Sequence, residues 1–169
     1  MTTTFPYAVE PLGAAHNRDM FSCGVEALDL YIRQRAGQER RRHVANCFVA
    51  IHKKTGELAG YYTLSATAVI FDALPEPLRK KLPRYPEVPA ALLGRLAVDT
   101  KHQGKKLGEF LLFDAMYRTL YADLAAAVLV VDAKNDRAAR FYKQHGFLSL
   151  SQIGKRLYIP VSHIGAIFP

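Results

Sequence analysis

Tryptophan is absent from the 169-residue sequence, and cysteine occurs only twice, as Cys23 and Cys47. Two cysteines with no CxxC pair exclude a disulfide-built scaffold and a zinc ribbon. The six histidines, His16, His43, His52, His102, His145 and His163, have no metal-ligand spacing, so no metal is expected. No apolar run approaches the roughly 18 residues that a membrane span needs. The longest, residues 124–131, suits a buried strand. The opening residues, Met1-Thr2-Thr3-Thr4-Phe5-Pro6, lack a basic region followed by an apolar one. They predict no secretion leader, and the cytosol is the simplest setting. Acidic residues are scarce too: 15 against 23 Lys and Arg, giving a net charge of +8. That excess favours a polyanionic partner (nucleic acid, an anionic cofactor or an acidic protein) over charge that serves only solubility.

What is present is enough for a core. Half of the residues are hydrophobic, and the length suits one domain spanning residues 1–169. Tyr7-Ala8-Val9-Glu10-Pro11 reads as a first strand. Ser22 is placed to cap a helix whose Val25, Leu28 and Ile32 recur at helical spacing. That helix runs into a basic stretch, with a break expected at Gly37, before Arg40-Arg41-Arg42. Residues 47–51 and 58–70 form a hairpin around Lys53-Lys54-Thr55-Gly56-Glu57. Five prolines between positions 74 and 89 predict a loop with at most one helical turn.

The second half alternates. Residues 91–98 read as a strand, 104–124 as a long helix, and 127–133 as a continuous apolar strand. A short helix over 137–145 follows, capped by Asn135 or Asp136 and closed by Gly146, with last strands at 147–150 and 156–159. Antiparallel strands followed by alternating strands and helices predict a mixed α/β (α+β) sheet with helices on its faces.

The most informative segment is Val98-Asp99-Thr100-Lys101-His102-Gln103-Gly104-Lys105-Lys106-Leu107-Gly108, where a strand ends and a helix begins. A helix start leaves N–H groups unpaired, Gly104 and Gly108 permit close approach, and Lys105 and Lys106 add charge. Two readings fit: a phosphate or pyrophosphate site, or a tight turn with solvated lysines. A Walker loop is excluded because Lys106, not Ser or Thr, follows Gly104-Lys105, and no G-x-G-x-x-G spacing occurs.

Gln103-Gly104-Lys105-Lys106-Leu107-Gly108 resembles the acyl-coenzyme A pyrophosphate loop of GNAT N-acetyltransferases, R/Q-x-x-G-x-G/A, with Lys106 where glycine is usual. Asn135, Phe141-Tyr142 and Gly146-Phe147 resemble the family's fourth helix. Phe21-Ser22-Cys23-Gly24-Val25-Glu26-Ala27-Leu28, Leu58-Ala59-Gly60-Tyr61-Tyr62-Thr63-Leu64 and Gly94-Arg95-Leu96-Ala97-Val98-Asp99 are similar to the GNAT toxins of type II toxin–antitoxin systems. The resemblance implies a GNAT fold: a mostly antiparallel twisted sheet of six to seven strands flanked by about four helices. It further implies acetyl-CoA as cosubstrate, aminoacyl-tRNA acetylated on its α-amino group, a translation block, a small DNA-binding antitoxin and a homodimer.

Roles follow residue by residue from that resemblance. The backbone of Leu96, Ala97 and Val98 would pair with the pantetheine arm. The amides of Gln103, Gly104, Lys105, Lys106, Leu107 and Gly108 would hold the pyrophosphate, and Asn135 would touch the cofactor. Tyr142 would be the general acid for the departing thiolate, whose conjugate acid has a pKa of about 8.5 by analogy with cysteine. No general base stands out, and an α-amine with a pKa near 7.7–8.0 has little need of one. Arg33, Arg35, Arg40, Arg41 and Arg42, with Lys80, Lys81 and Arg84, are placed to track tRNA phosphates, or else line a solvated face or an antitoxin contact. A small-molecule or protein amine as acceptor, and a non-catalytic binding module, remain the alternatives.

Overall fold

The computed structural model describes residues 4–150 and 155–169. The first three positions used to read the leader lie outside them. Among the described residues seven strands form one mixed sheet in the order β1-β2-β3-β4-β5-β7-β6. They are β1 (Tyr7–Pro11), β2 (Asn46–His52), β3 (Leu58–Ile70), β4 (Glu87–Val98), β5 (Val128–Asp132), β6 (Leu148–Ser149) and β7 (Arg156–Pro160). The chain divides into two compact units, one of residues up to Ser65 with Arg95–Ala115, the other of Ala66–Gly94 with Met116–Pro169. The long strands β3 and β4 contribute to both.

In the first unit β2 pairs antiparallel with β1 (Val9↔Ala50) and with β3 (Phe48↔Tyr62), the hairpin expected from the alternating apolar pattern. Its helical segment covers residues 26–41. It is built from α1 (Glu26–Leu30), a π-helical turn (Tyr31–Arg35) and α2 (Ala36–Arg41). Two expectations fail here. Ser22 does not cap: the residue before the helix is Val25, with no side-chain cap, and the buried Asp29 carboxylate instead accepts from the Cys23 amide at 2.8 Å. Gly37 does not break the helix. It is buried inside α2, where a side chain would meet the Arg18 and Arg41 guanidinium groups at 3.2 Å. The break comes at His43, whose φ is 59°.

Leu12, Phe21, Leu28, Ile32, Val49, Tyr61 and Ala97 close this unit's core. Gly60 is the tight point, since a Cβ there would come within 2.9 Å of both the Ala97 carbonyl and Leu111 Cδ1. The strand can lie against its neighbours only because position 60 has no side chain.

In the second unit β4 and β5 are parallel, from Ala90↔Val128 to Leu93↔Val131, and β5, β7 and β6 follow antiparallel. Strand β4 starts at Glu87 rather than at 91, because Pro89 can still accept through its carbonyl, from the Ala127 amide at 2.9 Å. The proline-rich segment holds one helical turn, α3 (Glu76–Arg79), as expected. Val69, Leu74, Val88, Ala90, Val128, Val130 and Tyr158 form the core.

The remaining helices are α4 (Leu107–Leu120), α5 (Asp136–Gln144) and α6 (Val161–Ile167). Helix α4 is shorter than the 104–124 read from the sequence. Gly104 and Lys106 have φ of 79° and 63°, which no α-helix accommodates. Among the described residues no helix is long and apolar enough to cross a membrane.

Candidate active site

Strand β4 outruns its parallel ladder. The last pair is Leu93↔Val131, yet the strand continues through Leu96, Ala97 and Val98. Backbone N–H and C=O groups beyond the end of a ladder are where an extended ligand can pair as a strand would. Ala97 is buried, and Leu96 and Val98 are half-buried.

The turn after β4 is braced by side chains. Asp99, itself buried, accepts from the Lys101 amide at 2.9 Å and the Ser22 amide at 3.0 Å. Gln103 Nε2 donates to the carbonyls of Val98 (2.9 Å) and Cys23 (3.2 Å). His102 is buried, with Nδ1 2.7 Å from the Tyr7 hydroxyl and Nε2 3.2 Å from Glu57 Oε2. Three side chains thus fix the entrance to the loop. None of them is spent on the loop's own amides.

Those amides are the central observation. Among the described residues no carbonyl or side chain accepts from the backbone N–H of Gly104, Lys105, Lys106, Leu107 or Gly108. Lys106 occupies a left-handed conformation, which explains why glycine is usual at this place. For a lysine that conformation costs about 1–2 kcal/mol. Gly104, also left-handed, has no atom within 4 Å of where a Cβ would be, so the loop surface is open there. Gly104 to Lys106 are all exposed, and Lys105 and Lys106 add two positive charges to this segment. The whole set suits a diphosphate: N–H groups for its oxygens, cations for its charge, and no carbonyl intruding.

The junction between β5 and α5 is built differently. Asn135 is the N-cap of α5, its side-chain oxygen accepting from the Ala138 amide at 2.9 Å. Only its Nδ2 remains to reach a cofactor. On α5, Tyr142 is 8% exposed and packs edge-on against Phe141 and Phe147, with ring centroids 5.2 and 5.5 Å away. Among the described residues its hydroxyl has no hydrogen-bond partner. Burial pushes the phenol up to about 12, so it stays protonated throughout the neutral range.

The basic candidates separate into two kinds. Arg35, Arg40, Arg41 and Arg42 are exposed. Arg33 is half-buried and turned inward, its Nη2 donating to the Phe21 carbonyl and its Nε buried without a partner among the described residues. Lys80 forms an exposed i,i+4 pair with Glu76 at 3.3 Å, while Lys81 and Arg84 are exposed. Burial and the Asp29 carboxylate push the Cys23 thiol up to about 11, so it is no thiolate in the neutral range.

Reading the sequence missed the aromatic neighbour of the strand that leads to the site. Arg95 lies over the Tyr31 ring, 3.6 Å from its centroid, and the Tyr31 hydroxyl donates to Glu39 at 2.5 Å. The π-turn carries Tyr31 into that position. Its signal, an aromatic within a basic helix, is too common to single out.

Residues 43–148 match the acetyltransferase (GNAT) domain model, and the chain belongs to the GNAT acetyltransferase family. It is 36% identical over 129 residues to the tRNA-acetylating toxin of Mycobacterium tuberculosis (strain ATCC 25618 / H37Rv), an alignment covering 75% of each. AtaT complexed with acetyl-methionyl-tRNAfMet superposes with a TM-score of 0.88 at 30% identity, over 96% of this chain and 99% of that one. AtaTR bound with AcCoA gives 0.84 at 29%, over 97% and 99%. An AtaT mutant toxin bound to the C-terminus of the antitoxin AtaR gives 0.81 at 27%, over the same shares.

Proposed function

We propose that the chain transfers an acetyl group from acetyl-CoA to the α-amine of aminoacyl-tRNA, and thereby acts as a translation-blocking toxin restrained by a small DNA-binding antitoxin. The observation that carries this reading is the row of amides from Gly104 to Gly108 that have no acceptor among the described residues. The relatives named above, one of them a tRNA-acetylating toxin, support the acceptor. Free Cys23 and Cys47 accord with a cytosolic setting.

The residues divide the work. Amides 104–108 and the lysines hold the diphosphate, and the backbone of residues 96–98 aligns the pantetheine arm. Acetyl-CoA supplies an activated thioester carbonyl. The new bond joins the amine nitrogen to that carbonyl carbon, and the carbon–sulfur bond breaks. The amine gives up one proton and the sulfur gains one. Tyr142, still protonated at neutral pH, donates a hydrogen bond to the departing sulfur. Because its pKa lies above that of a thiol, its part is to stabilise charge and relay a proton, without ending as phenolate. Exposed Arg35, Arg40, Arg41 and Arg42 supply phosphate contacts.

Incubation with radiolabelled acetyl-CoA and charged tRNA is the test. Label must appear on the aminoacyl group, and Tyr142→Phe must lower kcat by about 10²–10⁴-fold while acetyl-CoA still binds. Label on a small amine but not on charged tRNA overturns the acceptor. The rate rises with pH as the amine loses its proton and then stays level. With Tyr142 raised to about 12, no falling limb is expected near pH 10, the ordinary tyrosine value. A falling limb centred there in a pH–rate profile would show an unburied phenol.

A further inference from the structure

The second unit contains a cavity of about 380 Å³ beneath the proline-rich segment, lined by Phe71, Glu76, Arg79, Lys80, Leu82 and Arg84. We infer that this cavity binds one unpaired nucleotide of an RNA substrate, its phosphate on Arg79 and Arg84 and its base against Phe71. The inference rests on the proposed action on aminoacyl-tRNA.

The lining has three cations against one carboxylate, and that carboxylate is taken up by Lys80. Arg79 is aimed in advance. Its Nη1 donates to the carbonyls of Leu74 at 2.8 Å and Asp72 at 3.3 Å, and among the described residues nothing accepts from the rest of its guanidinium. A guanidinium held by one edge presents its other N–H groups as a fork that matches phosphate oxygens. Arg84 has no carboxylate partner among the described residues.

The apolar wall, half-buried Phe71 with Leu82, gives the site a second chemistry. A lining that combines an aromatic ring with two arginines suits a base with its phosphate better than an acidic peptide, which needs only the cations. The frame is stiff: Pro75, Pro77, Pro83 and Pro86 fix φ around the cavity, and the Phe71 amide donates to the Pro86 carbonyl at 3.0 Å. Little ordering is then left to be done on binding. The volume falls in the range of about 300–1,000 Å³ usual for small-ligand sites.

The experiment measures binding of deacylated tRNA to the full chain by fluorescence anisotropy over a salt series. Three chains are compared: the wild type, Arg84→Gln, and Phe71→Leu, which keeps the apolar volume. Each is checked for its thermal shift with acetyl-CoA. Arg84→Gln is expected to weaken binding about tenfold and lower the salt slope by about one, as for loss of one phosphate contact. Phe71→Leu is expected to weaken it about fivefold or more with the slope unchanged, as for loss of stacking. Variants that match the wild type on tRNA while the wild type acetylates charged tRNA overturn the cavity alone. Variants that lose affinity only for an acidic peptide overturn it in favour of a protein partner. A wild type that neither binds nor acetylates tRNA overturns both readings together.

Discussion

Two strand-to-helix junctions in this chain solve one problem in opposite ways. At the junction before α5, the Asn135 side chain closes the helix start itself, accepting from Ala138. At the junction before α4, the nearby polar side chains of Asp99, His102 and Gln103 are used to hold the loop's entrance. The amides of residues 104–108 are left without acceptors among the described residues. A helix start that caps itself gains stability and has little left for an anion. One that leaves its donors open forgoes the cap, worth about 0.5–2 kcal/mol, and recovers it only when a ligand arrives. The comparison therefore separates a structural junction from a binding junction by where the N–H groups point their hydrogen bonds.

The sharpest way to break this contrast is Gly104→Val. Position 104 has φ of 79° and no neighbour within 4 Å, so a side chain there meets no packing obstacle and acts only on the loop's conformation and its open face. A β-branched residue at positive φ costs about 1–3 kcal/mol. Acetyl-CoA affinity measured by titration calorimetry is expected to fall about a hundredfold, with the circular dichroism spectrum retained. An unchanged affinity would remove the loop from the cofactor site.

A milder change tests the other junction. Asn135→Ala is expected to lower stability by about 1 kcal/mol, or roughly 2–4 °C in Tm. It should weaken acetyl-CoA by no more than about fivefold, because the oxygen is already committed and only Nδ2 can donate. Asn135→Ser should recover most of the stability. A loss of affinity as large as that of Gly104→Val would mean that both junctions bind the cofactor and that the contrast is wrong.

Where the sequence could be read, it was read through local chemistry. Asn135 was expected as one of two caps for α5, and it is the cap. The hairpin of β2 and β3 followed from alternation, and the single turn of α3 from proline. Ser22 and Gly37 misled for a common reason: both were judged by intrinsic preference, and tertiary contacts decided. The Asp29 carboxylate ties down the chain before the helix through the Cys23 amide and no side chain caps the helix, while Arg18 and Arg41 pack where a side chain at position 37 would stand. Arg33 was grouped with its basic neighbours because a charge run carries no sign of which member turns inward. Nothing local marks Arg79 as pre-aimed or Tyr31 as stacked beneath Arg95, since both depend on partners set by the fold.

The smallest expected effect bears on the residue that departs from the family pattern. Lys106 holds φ of 63°, so Lys106→Gly relieves about 1–2 kcal/mol of backbone strain. Glycine returns about 0.5–1 kcal/mol of that through the freer unfolded chain. The net is a gain of up to about 1.5 kcal/mol, visible as a Tm rise of no more than about 6 °C. Affinity should move the other way. Removing an exposed ammonium beside the diphosphate is expected to weaken acetyl-CoA by about two- to fivefold, the scale of a solvent-screened charge contact. Opposite signs in the two measurements would mean that the lysine accepts strain in exchange for charge at the site. If affinity and Tm rise together, the side chain crowds the loop, and the amides alone hold the diphosphate.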